Sequence, residues 1–294
     1  MLIFREQAPL TAYLSAIRSR GARIGFVPTM GALHAGHLSL VEAAGRHADT
    51  VVVSIFVNPT QFNDPEDFKK YPVRTDQDIR MLSGSAADVL YLPDAAQVYG
   101  KDGPGPARYD FGHLETVLEG AHRPGHFQGV GQVMERLLTQ VPADYLAMGR
   151  KDYQQILIVN RLIELLHLKT EMIPCPIVRE PDGLAMSSRN LRLRPEARSV
   201  APELYGTLRE TAAHFLQLPF GELRARAVDR LEKAGFRVEY LELTTEDLEP
   251  VTAPRQGTRV LLAAAWLDGV RLIDNLVTKP ATLESTRRVE VSRP

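Results

Sequence analysis

Residues 24–37 read Ile24-Gly25-Phe26-Val27-Pro28-Thr29-Met30-Gly31-Ala32-Leu33-His34-Ala35-Gly36-His37. A short apolar run stops at Pro28, which cannot donate to a sheet ladder, and a glycine-bearing turn leads into a stretch of helical period from Leu38. That strand–turn–helix order is half of a parallel crossover unit. In open parallel sheets ligands gather at the carboxyl ends of strands, and such a turn offers backbone N–H groups and the positive end of a helix dipole to an anion. His34 and His37 stand where imidazoles can donate to phosphate oxygens. A zinc pair is the competing reading, since His at i and i+3 can share a helix face, but no third ligand accompanies them. Two incidental surface histidines are the plainest alternative. The placement after a strand and before a helix favours phosphate.

The same alternation continues on both sides. Strands are expected at 24–27, 51–57, 89–92, 145–148 and 172–178, the second continuous in Val and Ile as a strand buried on both faces should be. Helices are expected at 38–47, 75–82, 129–140 and 153–167. In the third, Val130, Val133, Leu137 and Val141 fall on one face; the fourth is apolar nearly all round and should be well buried. Between 93 and 125 lies a long Gly-, Pro- and Asp-rich segment with little periodicity, a candidate binding loop. After Arg179-Glu180-Pro181-Asp182-Gly183, a candidate hinge, the character changes. Helices are expected at 195–217 and 220–234, a strand at 237–242, and a hairpin of 259–266 with 271–277 around Asp268-Gly269. The pattern predicts an α/β protein: a parallel-sheet N-terminal domain over 1–180 and a smaller α+β C-terminal domain over 181–294, ending in a frayed polar tail of about a dozen residues.

Composition narrows the function. With 35 Lys plus Arg against 36 Asp plus Glu, the chain has no electrostatic footprint for sequence-independent nucleic-acid binding. Its 294 residues, at about 100 to 200 per domain, suggest two domains or one large one. The single cysteine, Cys175, cannot form an intrachain disulfide, so a reducing compartment is expected; in its apolar run it reads as a buried, inert thiol. Arg5 and Glu6 interrupt the N-terminus before a signal-peptide core can form, and no apolar run approaches a membrane span. A cytoplasmic location is the expectation.

Three further clusters follow predicted strands. Asn58-Pro59-Thr60-Gln61-Phe62 follows the second; Asn58-Pro59 reads as strand termination, while the Gln61 amide suits the hydroxyl and carboxylate groups of a small substrate. Gly149-Arg150-Lys151-Asp152-Tyr153-Gln154-Gln155 follows the fourth. There Lys151 can neutralise phosphate, Asp152 can cap a helix or bind a ribose hydroxyl, and Gln155 can face the same cleft as Gln61. Met186-Ser187-Ser188-Arg189-Asn190 follows the fifth, with hydroxyls and a guanidinium suited to polyphosphate, although alone it is just a polar loop. Arg123-Pro124-Gly125-His126-Phe127 adds a further candidate anion site before a helix. The convergence of modest signals at one sheet edge argues for a nucleotide in one cleft and a second small polar ligand beside it.

Taken together these residues resemble the pantoate–β-alanine ligase (pantothenate synthetase) family of the His-x-Gly-His adenylyl-transferring superfamily. The resemblance spans about 1 to 280 and includes Val27-Pro28-Thr29-Met30-Gly31 with His34 and His37, Val53-Ser54-Ile55-Phe56-Val57-Asn58-Pro59, Arg123-Pro124-Gly125-His126-Phe127, Lys151-Asp152 with Gln154-Gln155, Asp182-Gly183-Leu184, Ser187-Ser188-Arg189-Asn190, and Arg271-Leu272-Ile273-Asp274-Asn275. It implies a Rossmann-like first domain, a second domain acting as a partial lid, a homodimer, and ATP with Mg²⁺ as substrate without a tightly bound organic cofactor. It also implies the reaction: the pantoate carboxylate attacks ATP to give pantoyl adenylate and diphosphate, and β-alanine then yields pantothenate and AMP. Carried over by position, Met30, Gly31, Ala32, Leu33, His34, Ala35, Gly36, His37, Gly149, Arg150, Lys151 and Asp152 would bind ATP. Val178 would lie beside adenine, and Met186, Ser187, Ser188 and Arg189 on the phosphates. His37 would be the catalytic histidine, with His34, Lys151 and Arg189 sharing the neutralisation of charge, and Gln61 and Gln155 would hold pantoate, Gln61 also lying near β-alanine. The metal ligands are left open.

Three positions depart from the family pattern. Arg150 stands where Glu or Gln usually precedes Lys-Asp, Val73 separates Tyr71-Pro72 from Arg74, and Arg192 replaces a frequent aromatic. The rival readings are a nucleotidyltransferase of the same superfamily, against which the two glutamines argue, and a non-catalytic nucleotide-binding module.

Overall fold

A computed structural model describes residues 1–278 except 63–64, 102, 106–107, 216 and 252–256; the tail expected at the C-terminus lies outside the described residues. In chain order the first part comprises β1 (Leu2–Phe4), α1 (Gln7–Arg18), β2 (Ile24–Thr29), α2 (Ala35–Gly45), β3 (Thr50–Ile55), α3 (Pro65–Lys69), α4 (Thr75–Ser83) and β4 (Val89–Tyr91). It continues through α5 (Ala95–Tyr99), α6 (Leu118–His122), α7 (His126–Gln140), β5 (Tyr145–Gly149), α8 (Tyr153–Leu165) and β6 (Glu171–Cys175). The second part holds α9 (Pro195–Val200), α10 (Glu203–His214), α11 (Phe220–Lys233), β7 (Arg237–Thr244), β8 (Arg259–Leu267) and β9 (Val270–Thr278).

The first sheet has six strands in the order β1-β4-β3-β2-β5-β6, every pair parallel. From β2 the chain moves outward to β3 and β4 on one side and returns to β5 on the other. The strand order therefore reverses between β2 and β5, and a crevice opens there at the carboxyl ends. Every residue of β3 is buried, as its unbroken apolar run requires. One core packs α1, α7 and α8 on one face of the sheet through Leu10, Leu14, Val130, Leu137, Ile158 and Leu162; another packs α2 and α4 on the opposite face through Val41, Ala44 and Leu82. The second sheet, β7-β8-β9, is antiparallel and carries α10 and α11 on Leu204, Leu208, Leu223 and Leu231. Its hairpin turns at Asp268-Gly269, both at positive φ (52° and 70°), the conformation the dipeptide predicts.

Several expectations are corrected. The sheet has a sixth strand, β1, which the pattern does not announce because three half-exposed edge residues carry no period. Helix α1 buries only Leu10 and Leu14, too sparse a stripe to read. The helix expected over 195–217 is two, broken at Ala201-Pro202, because Pro202 lacks the N–H that a continuous helix needs. Strand β6 ends at Cys175, before Pro176, not at Val178. The 93–125 segment is not bare loop; it contains α5 and α6. The turn-like stretch at 179–183, the candidate hinge, does form a turn: Arg179 bridges to Ala185 and the Glu180 N–H donates to the Leu184 carbonyl at 2.8 Å. Finally, α8 is buried on Ile156, Ile158, Val159, Leu162 and Ile163, but Leu157 and Leu165 are only partly covered.

Helix α7 meets the turn after β3 at Gly129, where a Cβ would sit 2.2 Å from the Thr60 carbonyl oxygen. Only glycine permits that approach. Gly129→Ala is therefore expected to lower stability by about 1–3 kcal/mol through overpacking and to displace the adjoining Gln61. Guanidinium unfolding checks the first effect; an unchanged midpoint would refute the close approach.

Candidate active site

The turn after β2 is held from below. Thr29 Oγ1 donates to the Ser54 carbonyl on β3 (2.8 Å) and accepts the Gly31 N–H (3.2 Å). Asp78 of α4, buried, accepts the N–H groups of Ala32 (2.9 Å) and Leu33 (2.8 Å). These two amides are thus already satisfied by protein and are not open to a phosphate, a correction to the reading of the turn as a set of free donors. Helix α2 begins at Ala35, three residues earlier than expected, which places His37 in its first turn. The His34 N–H donates to His37 Nδ1 (3.3 Å), and the two rings lie 4.0 Å apart. Because Nδ1 accepts, the His37 proton resides on Nε2, the nitrogen left to donate to a ligand. Gly36 makes the ring packing possible: a Cβ there would lie 2.9 Å from the His34 ring.

Both imidazoles are neutral at pH 7. Burial, reinforced by nearby Lys151 and opposed by Asp152, brings His34 down to about 4, and burial with the neighbouring His34 and Lys151 brings His37 down to about 3. They are hydrogen-bonding dipoles. A charged ring in this crevice would lose its hydration and face an ammonium. Among the described residues no third His, Cys, Asp or Glu joins them, so nothing supports the zinc alternative.

Across the switch point, Gly149 ends β5, and Lys151 and Asp152 follow it. Asp152 precedes α8 but makes no capping bond with its side chain, which leaves its carboxylate to the cleft. The turn is steadied by Asn275 of β9, whose Nδ2 donates to the carbonyls of Arg150 (2.8 Å) and Lys151 (3.1 Å). The Ser187-Ser188-Arg189 loop enters from the second part. Ser187 Oγ accepts the Arg189 N–H (3.3 Å), and Ser188 Oγ bonds the Tyr71 hydroxyl at 3.0 Å. Arg189 is not free: its Nη2 donates to Asp67 Oδ2 at 2.9 Å.

These groups line one cavity of about 220 Å³. Of the expected residues, Met30, His34, Gly36, His37, Gly149, Lys151, Asp152, Val178, Met186, Ser187, Ser188, Arg189, Gln61 and Gln155 line it; Gly31, Ala32, Leu33, Ala35 and Arg150 do not. The two glutamines meet, Gln61 Nε2 donating to Gln155 Oε1 at 3.4 Å. Sequence reasoning misses Asp78 and Tyr71, and it reads Asn58 only as strand termination. Asn58 is buried in the cavity wall, where Oδ1 accepts from the Tyr99 hydroxyl (2.6 Å) and Nδ2 donates to the Gly129 carbonyl (3.3 Å). No local signal marks Asp78, because its partners Ala32 and Leu33 lie 46 and 45 residues away. Arg123 and His126 also line the cavity, but His126 is a support: its Nδ1 donates to the Gln61 carbonyl at 2.8 Å and its Nε2 accepts from Arg123 at 3.0 Å. Cys175 is buried, and burial raises its thiol, in keeping with an inert side chain.

Fold and cleft together define an open parallel α/β protein with a polar crevice at its topological switch point. Comparison with known proteins narrows the class. Residues 2–277 match the family model described as pantoate-beta-alanine ligase. Pantothenate synthetase of Paracoccus denitrificans is 47% identical over 277 residues, covering 93% of this chain and 97% of that protein. Pantoate–beta-alanine ligase of Schizosaccharomyces pombe is 43% identical over 282 residues, 95% and 99% of the two chains. The crystal structure of pantothenate synthetase from Thermus thermophilus superposes with a TM-score of 0.83 at 38% identity, over 94% and 99% of the two chains. That of the Francisella tularensis ligase, complexed with beta-gamma ATP and beta-alanine, gives 0.80 at 34% identity over 96% and 100%. The chain belongs to the pantoate-beta-alanine ligase family.

The buried histidines make a pH prediction. In the unfolded chain each titrates near 6.5, whereas in the fold His34 titrates near 4 and His37 and His126 near 3. Between those limits the unfolded chain binds protons that the native one refuses, so stability must fall as pH drops below about 6.5, by about 1.4 kcal/mol per pH unit for each such histidine. In His126→Gln the slope of unfolding free energy between about pH 6 and 4.5 should be flatter than the parent's by about one proton. Denaturant titrations across that range decide it, and equal slopes would show that His126 is not held neutral.

Proposed function

We propose that this protein condenses pantoate with β-alanine, using ATP and releasing AMP and diphosphate, through a pantoyl adenylate. The observation that carries the reading is the meeting, in one cavity at the β2/β5 switch point, of His34 and His37, Lys151, the Ser187-Ser188-Arg189 loop and the paired amides of Gln61 and Gln155. Family membership and the Francisella neighbour's complex with a nucleotide and β-alanine support it.

In the first step the pantoate carboxylate oxygen forms a bond to the α-phosphorus and the bond to the diphosphate oxygen breaks. Negative charge grows on the α-phosphoryl oxygens and the leaving group. His37 Nε2–H is the donor assigned to that charge, with His34 beside it, and Lys151 supplies the ammonium for the phosphates. Lys151 suits this because it forms no salt bridge among the described residues and so loses none on binding. Asp152 is assigned to the ribose, Val178 to the adenine, and Ser187, Ser188 and Arg189 to the departing diphosphate. Gln61 and Gln155 present amide donors and acceptors that suit the hydroxyls and carboxylate of pantoate. In the second step the amine of β-alanine attacks the acyl carbon and AMP leaves. The apolar wall of Val130, Val133, Met134 and Leu137 excludes water that would otherwise hydrolyse the adenylate.

ATP is taken as its magnesium complex. A cation held mainly by phosphates and water fits a crevice whose described residues contain no ready-made cluster of metal ligands. Residues 1–180 are assigned as the nucleotide- and pantoate-binding domain and 181–294 as the lid domain. A homodimer follows from the family resemblance and is tested by light scattering on the eluted protein. The lone buried cysteine supports a cytoplasmic location, and no helix among the described residues is long and apolar enough to cross a membrane.

The test is isotope exchange. Pyrophosphate should exchange into ATP only with pantoate present, and AMP should accumulate only once β-alanine is added. Exchange without pantoate, or AMP transfer to a phosphorylated acceptor, would return the nucleotidyltransferase reading. His37→Ala is expected to slow adenylation about a hundredfold to a thousandfold, as loss of a transition-state donor does. Gln61→Ala and Gln155→Ala should raise the KM for pantoate more than that for ATP, and the opposite order would unseat the assignment of the amides.

A further inference from the structure

We infer that Arg192 is a positioning residue for the polyphosphate: it is the standing counter-charge of Asp67, so that Arg189 can pass to the phosphates without leaving that carboxylate unpaired. The inference rests on the assignment of Arg189 to the phosphates given above.

Three side chains carry it. Asp67 of α3 places one oxygen on Arg189 Nη2 at 2.9 Å and the other on Arg192 Nη1. All three are largely covered, with side-chain exposures of 24%, 24% and 21% for Asp67, Arg189 and Arg192. Burial alone would raise the Asp67 carboxyl, yet the two guanidiniums outweigh it and hold it below the ordinary carboxylate range. Residues 188–192 form a single 3₁₀ segment, in which side chains three apart eclipse one another. Arg189 and Arg192 are three apart, so one short segment aims both at the same acceptor. An aromatic at 192 offers no such charge.

The two arginines differ in where they stand. Arg189 lines the substrate cavity, and it also lines a neighbouring cavity of about 360 Å³; Arg192 and Asp67 line only the second. A phosphate arriving at Ser187-Ser188-Arg189 therefore meets Arg189 already engaged and a like charge close behind it. If Arg189 turned to the phosphate with no other cation present, Asp67 would be left half-buried and unpaired, an arrangement that costs more than the pair it replaces. With Arg192 in place the carboxylate stays neutralised, and the surplus positive charge of the trio is delivered to the ligand.

Calorimetric titration of the whole protein with Mg-ATP tests this without turnover. Arg192→Gln should weaken binding about tenfold, while Asp67→Asn should bind at least as well as the parent, since the anion that needs a partner is gone. The decisive variant is the Asp67→Asn, Arg192→Gln double, expected within about twofold of Asp67→Asn, and Arg192→Lys should recover most of the loss. Parent-like affinity in Arg192→Gln would overturn the inference. So would a double variant as weak as Arg192→Gln, because Arg192 would then be touching phosphate itself. A parent that bound no Mg-ATP would strike the ATP reading, and this inference with it, whereas lost pantoate-dependent exchange with intact ATP binding would strike only the ligase reading.

Discussion

Strand β9 ties the two sheets together, and one of its ties falls on the turn that carries Lys151 into the cleft. Asp274 accepts both Nη1 (2.6 Å) and Nη2 (2.9 Å) of Arg179, while the next residue, Asn275, holds the carbonyls of the Lys151 turn. Earlier on the same strand, Arg271 grips Glu119 of α6 with two bonds of 2.8 Å and also reaches Glu239. These charges are buried. Buried pairs are weak evidence for net stability, since desolvation offsets much of the attraction, but breaking one leaves an uncompensated charge and is strongly unfavourable. Their consequence here is orientation: they hold the second sheet against α6 and against the turn that carries Lys151.

Within that frame the site separates two electrostatic tasks. The histidines nearest the turn after β2 are kept neutral by burial, so they supply directed N–H groups without adding charge. The cations are Lys151, which forms no salt bridge among the described residues, and Arg189 and Arg123, which are already engaged by acids. A polyanion entering such a crevice does not meet a uniform positive field. It meets one ammonium without a salt bridge and two guanidiniums paired with acids.

How much of this is legible in the sequence depends on the range of the interaction. Strand β3 and helix α7 carry their signal in a few adjacent residues, and their expected limits fall within three residues or so of those observed. The clusters at 30–37, 58–62, 149–155 and 186–190 are legible because a parallel sheet brings the ends of its strands to one edge. That Arg189 is engaged, that Ala32 and Leu33 spend their amides on Asp78, and that His34 and His37 are neutral are not legible, because each depends on burial or on a partner brought near only by folding. The same limit hides β1, an edge strand of three residues, and the break at Pro202, where helical period continues on both sides of a residue that cannot sustain it.

The turn that carries Gln61 shows how far such non-local control extends. It is pinned on one side by Asn58, whose amide is fixed by Tyr99 and the Gly129 carbonyl, and on another by the His126 and Arg123 side chains, which both donate to the Gln61 carbonyl. Arg123 in turn lies 3.5 Å from Glu119, the acid that Arg271 holds and to which Tyr240 donates at 2.6 Å. An unbroken series of polar contacts therefore runs from β7 and β9 of the second sheet to the backbone of the residue assigned to pantoate. Glu119 lies 2.8 Å from Arg271 and 3.5 Å from Arg123, so its stronger hold is on β9, while Arg123 divides its guanidinium between Glu119 and the Gln61 carbonyl. The seating of the second sheet and the placement of the Gln61 backbone are for that reason linked through one buried carboxylate, Glu119.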